Sequence, residues 1–187
     1  MLGHPGGEHH SRYLIELAFL DKPARWLDMG AGDGAAVALL RSLGYEAEGI
    51  DLAPRGPGVS QGDYLHAAYD DEAFDGILSQ CSCHVSGDVP GALRSAARML
   101  RKGGKLVFSD VTENVVGLLN DCRKAGFAVR HIEDLTDQWK EYYLECLWTE
   151  ALDLLELSAG FKSAVFCAVC VDILGKRAAY ARNIAEK

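Results

Sequence analysis

The stretch Trp26-Leu27-Asp28-Met29-Gly30-Ala31-Gly32-Asp33-Gly34, continued by Ala35 to Leu43 and then by Gly49-Ile50-Asp51, decides the fold. It reads as an apolar strand, a glycine turn, a helix and a second strand. Glycines at 30, 32 and 34 let the backbone turn sharply and bring its amides close to a ligand, which a Cβ would obstruct. Asp51 follows Gly30 by 21 residues, at the end of the second strand, where a carboxylate accepts hydrogen bonds from both hydroxyls of a ribose. The ligand expected at this turn therefore contains adenosine.

Two kinds of adenosine cofactor satisfy the turn. Read as Gly30-x-Gly32-x-x-Ala35, it fits the looser dinucleotide fingerprint, with Asp51 on the ribose of a nicotinamide cofactor. The segments that follow separate the readings: Gln61-Gly62-Asp63, then Phe74-Asp75-Gly76-Ile77-Leu78-Ser79, then Arg98-Met99-Leu100-Arg101-Lys102-Gly103-Gly104-Lys105-Leu106-Val107. With Asp28 two residues ahead of the first glycine, the Asp-x-Gly-x-Gly-x-Gly pattern and the order of these segments resemble class I methyltransferases that use S-adenosyl-L-methionine. The resemblance covers most of residues 24 to 111.

The whole chain sets wider limits. Its 187 residues allow one well-filled core, so residues 1–187 read as a single domain. Within it, 1–22 is an N-terminal cap segment, 24–135 the cofactor-binding core and 136–187 a helical and closing-strand region. A net charge of −8 argues against a nucleic-acid or anionic-membrane surface, because phosphates require clustered cations. No window has the roughly 18 apolar residues of a membrane span, and the start lacks the apolar core of a signal peptide. A cytoplasmic protein with a small-molecule partner, monomeric or homodimeric, is expected. The six cysteines come without an export signal and read as reduced thiols. Cys122 continues the stripe Val115, Leu118, Leu119, and Cys146 continues Trp139, Tyr142, Tyr143, so both read as core. Cys167-Ala168-Val169-Cys170 has redox-motif spacing inside an apolar run; in a strand its thiols point to opposite faces, which favours packing.

Strands are expected at Arg25 to Met29, Glu46 to Ile50, Val59 to Gln61, Phe74 to Ser79, Lys105 to Ser109 and Ala128 to Ile132. Helices are expected from Gly34 to Leu43, from an Asp88 N-cap to a stop at Gly103-Gly104, from Val115 to Ala125 and from Gln138 to Leu157. Their alternation implies parallel pairing through right-handed crossovers. The resulting class is α/β, a Rossmann-like three-layer αβα sandwich with a mostly parallel seven-stranded sheet and an antiparallel closing strand. Two segments compete for that strand: Ala164 to Leu174 has the stronger β composition, and Ala179 to Glu186 is more similar to the family's last strand.

The resemblance also implies site roles. Gly30, Ala31 and Gly32 approach the methionine part of the cofactor, with Asp28 organising its ammonium. Asp51 holds the ribose, Leu52 packs on the adenine, Asp63 accepts from the adenine amino group beside the Tyr64 amide, and Ser79 offers its carbonyl. Turn or helix capping is the alternative for Asp28 and Asp63. For the acceptor, Ser79-Gln80-Cys81-Ser82-Cys83-His84-Val85 and Phe108-Ser109-Asp110-Val111 resemble arsenite methyltransferases. There Cys81 matches a metalloid-binding cysteine, Cys83 offers a second thiol and His84 a base, and Asp110 orients or deprotonates an acceptor. Core filling and capping are the plainer alternatives, and the other cysteines of that family have no counterpart here. The closer likeness is to small stand-alone methyltransferases related to the quinone-biosynthesis and arsenite groups. Some of these open with a Pro-Gly-Gly loop, as Pro5-Gly6-Gly7 does, and fold it over the cofactor; His9, His10 and Tyr13 then line the acceptor pocket or stay on the surface.

The expected function is methyl transfer from S-adenosyl-L-methionine, giving S-adenosyl-L-homocysteine, to a small acceptor, with a thiol- or metalloid-type substrate as one option and no metal cofactor. The alternatives are a nicotinamide-dependent oxidoreductase and a non-catalytic S-adenosylmethionine-binding protein. The chain has no zinc spacing and no Asn/Asp-Pro-Pro-Tyr of nucleic-acid amino methylation.

Overall fold

The computed structural model describes residues 4–148 and 165–173. Within them β1 (Arg25–Met29), β2 (Glu46–Asp51), β3 (Val59–Gln61), β4 (Phe74–Gln80), β5 (Leu100–Thr112), β6 (Phe127–Asp134) and β7 (Val165–Ile173) form one sheet in the order β3-β2-β1-β4-β5-β7-β6. Strands β1 to β5 pair in parallel, whereas β7 lies antiparallel between β5 and β6. The closing strand is thus the segment of stronger β composition; residues 179–186 lie outside the described residues.

Alternation along the strands divides the core in two, as a sheet buried on both faces requires. Trp26, Leu78 and Val107 join Leu14, Leu40 and Trp139 from α1 (Gly7–Leu17), α2 (Ala35–Ser42) and α5 (Thr136–Trp148). Leu27, Ile77, Leu106 and Phe108 join Leu93, Met99 and Leu118 from α3 (Val89–Met99) and α4 (Val115–Lys124) on the opposite face. Cys122 and Cys167 are buried in the second layer and Cys170 in the first. The thiols of Cys167 and Cys170 therefore face opposite ways, and both are packing. The side chain of Cys146 lies outside the described part.

Local chemistry explains most boundaries. Asp88 caps α3, its Oδ1 accepting from the Gly91 N–H at 2.8 Å, with Pro90 in the first turn. Asn114 caps α4 in the same way. One boundary differs from expectation. Helix α3 ends at Met99 and Leu100 passes directly into β5, so Gly103-Gly104 do not stop the helix. They lie where the β4–β5 register jumps between the Phe74–Leu100 and Gly76–Lys105 pairs, with Gly103 at φ 81°, a conformation that suits glycine in a bulge. The N-terminal segment contains α1, whose buried His10, Ser11, Leu14 and Ile15 lie at helical spacing.

Gly76 pairs with Trp26 across β1 and β4, and a Cβ there would stand 2.6 Å from the indole. Substituting Gly76→Ala forces the wholly buried Trp26 out of place. The expected loss is about 1–3 kcal/mol of stability, read as a lower urea midpoint with Trp fluorescence; an unchanged midpoint shows that the ring can move aside.

Candidate functional site

The site lies at the carboxyl ends of β1, β2 and β4, where a doubly wound sheet opens its ligand crevice. The turn after β1 is tied to β2: Gly30 N–H and Ala31 N–H both donate to the Ile50 carbonyl, at 2.9 and 3.2 Å. One residue on, Gly32 N–H donates to Asp51 Oδ2 at 2.9 Å, and Ala53 N–H donates to Oδ1 at 2.8 Å. Two amides thus fix the Asp51 carboxylate while each oxygen keeps a lone pair for a ligand hydroxyl. Gly30 has φ 80°, and a Cβ on it would fall 2.0 Å from Ser82 Oγ; the loop after β4 therefore closes directly over the turn.

Asp28 lies beneath this cradle, 3% exposed. Its carboxyl accepts no hydrogen bond from the described residues. Burial, and then the charges of Asp51 and Asp33, push it up to about 7. A buried acid without a partner is unusual, and it fits a ligand that brings a cation.

A cavity of about 320 Å³ extends from the cradle. Gly30, Asp51 and Leu52 form one side, Asp63, Tyr64 and Leu65 another, and Cys81, Ser82, Val85 and Ser86 the rim. Leu52 is 69% exposed, an apolar surface suited to the face of a base. Asp63 is both capping residue and wall: its Oδ1 accepts from Leu65 N–H at 2.8 Å and its Oδ2 meets His66 Nδ1 at 2.9 Å. The His66 contact first, and then the Leu65 amide, hold its carboxyl below the usual range. The Tyr64 hydroxyl donates to the Ser82 carbonyl at 2.8 Å and so anchors the rim. The Ser79 side chain is wholly buried inside β4, its Oγ 3.3 Å from Cys83 Sγ, so that only its backbone is left for a ligand, and Cys81 and Ser82 form the lip. Ser82 and Val85 belong to the Ser79–Val85 stretch without a role of their own there, and Ser86 and Leu65 lie in no motif that would single them out as walls.

A second cavity of about 210 Å³ opens on the other side of the same loop, with Cys83, Val89, Phe108, Asp110 and Leu118 among its walls. The Asp110 carboxylate is buried; it accepts from His84 Nδ1, from His84 N–H at 3.1 Å and from Val111 N–H at 2.9 Å. With Nδ1 donating to Asp110, Nε2 is the remaining ring nitrogen, which carries the lone pair in a neutral imidazole. His84 and Asp110 are thus brought together. Cys81 and Cys83 are not: Cys81 packs toward the α1 layer and Cys83 is buried in the α3 layer. Burial first and Asp110 second push both thiols up, Cys83 to about 12.

Helix α1 covers the α1 face of the sheet near the carboxyl end of β4. Ser11 donates to Gln80 Oε1 at 3.0 Å, and Tyr13 donates to Glu133 Oε2 at 2.5 Å. His10 is buried, its pKa lowered to about 4 by burial first and by His4 second, and its Nε2 has no partner among the described residues. His9 is exposed.

A family model described as a methyltransferase domain matches residues 8–153. Methyltransferase GfsG of Streptomyces halstedii is 28% identical over 176 residues, covering 81% of this chain and 61% of the relative. The chain thus spans less than two thirds of that relative's length. An arsenite methyltransferase of Aquipseudomonas alcaligenes is 36% identical over 77 residues, 41% of this chain and 18% of that one. Among solved structures, the [4+2]-cyclase SpnF superposes with a TM-score of 0.75 at 20% identity, covering 89% of this chain and 80% of the other, a likeness of fold. No helix among the described residues is long and apolar enough to cross a membrane. The family match extends over most of the chain and falls on the cradle, the Asp51 carboxylate and the loop after β4, which decides between the two adenosine readings: the chain belongs to the class I S-adenosylmethionine-dependent methyltransferases.

Proposed function

We propose that this protein transfers a methyl group from S-adenosylmethionine to a small-molecule acceptor, and that His84, oriented by Asp110, takes the acceptor's proton. The observation that carries the reading is the unpartnered, buried Asp28 carboxylate under the glycine turn. A cofactor with an ammonium group would give that carboxylate its missing partner. Asp51 would hold the ribose with the lone pairs its two amide bonds leave, Leu52 would cover one face of the adenine, and Asp63 with the Tyr64 amide would take its amino edge. Gly30, Ala31 and Gly32 would let the methionine part approach the backbone. When bound, the cofactor supplies a methyl carbon activated by a sulfonium, so the protein's own work is alignment and exclusion of water.

The His84–Asp110 pair has the arrangement of a general base, an imidazole whose tautomer is fixed by a buried carboxylate. It suits an acceptor that must lose a proton. A thiol- or metalloid-type acceptor is favoured by the arsenite methyltransferase relative and by Cys81 at the cavity rim. Soft-ligand chemistry needs converging thiolates, whereas Cys81 and Cys83 face different layers as protonated thiols. A proton-bearing acceptor is therefore the reading adopted.

Calorimetry with S-adenosylhomocysteine and with NAD tests the cofactor assignment: saturable binding of the first only is expected, and heat with NAD alone would overturn it. Methyl transfer from radiolabelled S-adenosylmethionine to a panel of hydroxyl acceptors tests the activity; binding with no transfer to any of them would favour a non-catalytic role. Replacing Asp51 with Ala removes an anionic acceptor of two hydrogen bonds and should weaken S-adenosylhomocysteine binding by about 1–3 kcal/mol.

Asp28 gives a pH signature. Its folded pKa, about 7, lies above the unfolded value of about 3.9, so the folded state binds the proton more tightly. The associated stability is full below pH ~4 and is lost as pH rises through ~7, at up to about 1.4 kcal/mol per pH unit. In urea titrations between pH 4 and 8, wild type should lose stability that Asp28→Asn keeps; parallel profiles would show that Asp28 is not held neutral.

A further inference from the structure

We infer that the second cavity is the acceptor site and that it admits a single-ring phenol bearing a further oxygen, an inference that rests on the methyltransferase reading above. Its position comes from the loop after β4. Cys81, Ser82, Val85 and Ser86 of that loop line the cofactor cavity, while Cys83 and Val89 line the second; one short segment is thus shared between them. Asp110 stands in the wall of the second cavity and holds the exposed His84 beside that wall.

Size and lining select the ligand. A volume of about 210 Å³ falls below the range of roughly 300–1,000 Å³ usual for drug-sized ligands, which suits one ring rather than a fused system. Val89, Phe108, Val111 and Leu118 supply an apolar, partly aromatic wall. The carboxylates at the cavity are already matched: Asp110 by His84 and the Val111 amide, and Asp121 by Lys124 Nζ at 2.9 Å. Neither offers a bare charge to a cationic amine, and among the described residues no cation lines the cavity to receive an acid. At the rim, Thr112 Oγ1 accepts from Asn114 N–H and Asn114 Oδ1 accepts from Gly117 N–H. Both side chains spend their acceptors on the backbone and keep donors for a ligand oxygen.

Reactivity agrees. A phenolic hydroxyl ionises near pH ~10, within reach of an imidazole base, whereas an alkyl alcohol ionises far above it. His84 Nε2 takes the phenolic proton as the oxygen forms its bond to the methyl carbon. The carbon–sulfur bond breaks with its electron pair left on sulfur, giving an aryl methyl ether and S-adenosylhomocysteine, and His84 returns the proton to solvent.

The test is calorimetry in saturating S-adenosylhomocysteine with three probes: 4-hydroxyacetophenone, 4-methylacetophenone and benzylamine. The first should bind roughly tenfold or more tightly than the other two. Leu118→Trp should fill the cavity and abolish that binding while S-adenosylhomocysteine affinity stays within about twofold, which also reports on folding. Leu118→Ala gives the converse, a gain for 6-hydroxy-2-acetonaphthone over wild type, should the bulky variant not fold. Tighter binding of benzylamine, or phenol binding indifferent to both Leu118 changes, would overturn the proposal. S-adenosylhomocysteine binding without any phenol binding would overturn it and leave the methyltransferase reading standing, whereas loss of S-adenosylhomocysteine binding itself would bring down that reading first.

Discussion

The hydrogen bonds that tie the glycine turn after β1 to the end of β2 are the constraint on which the rest depends. Gly30 and Ala31 share the Ile50 carbonyl, and Gly32 takes the Asp51 side chain. Backbone amides in a turn must be satisfied somewhere, and here they are satisfied by the strand that also carries Asp51. A single arrangement therefore sets the shape of the turn, aims Asp51 and leaves Asp28 below without a partner. Anything with a Cβ at position 30 would collide with Ser82, so the same constraint also fixes how closely the β4 loop can fold over the site.

Most of this was legible from residues because the signals are local. The short apolar runs at Trp26–Met29 and Gly76–Ser79 predict buried strands, and the Asp88 cap predicts the start of α3, since capping needs only three neighbouring residues. Cys167 and Cys170 were assigned to opposite faces by strand alternation alone. Helix α1 was read only as a covering segment, although His10, Ser11, Leu14 and Ile15 repeat at helical spacing. Its polar residues conceal the stripe, because Ser11 and Tyr13 are held by Gln80 and Glu133, residues far along the chain. The start of β5 was misplaced for a related reason: Gly103-Gly104 resemble a helix stop, and only the pairing of Leu100 with Phe74 shows that the strand has already begun.

The acceptor side was the least legible part. Cys81 and Cys83 stand two apart and would share a face if the strand continued through them. The chain instead enters the left-handed region at Cys81, φ 53°, a conformation uncommon for a residue with a side chain. Alternation is broken there, so one thiol falls in each layer. The same break carries the chain over Gly30 and brings His84 back to Asp110, contacts that residue spacing does not encode. A motif match at Cys81 thus retains its sequence meaning while losing the geometry that a shared metal-like centre would need.

Asp110 makes the choice of chemistry exclusive. As a buried carboxylate it accepts from His84 Nδ1 and leaves Nε2 as the nitrogen turned away from it, the arrangement the proposed proton removal uses. As a negative charge near Cys81 and Cys83 it opposes their ionisation, which works against thiolate ligation. One group cannot favour both outcomes in the same state. Three backbone or ring N–H groups donate to this carboxylate. The described geometry thus gathers N–H donors around one carboxylate and leaves the two thiols in separate layers.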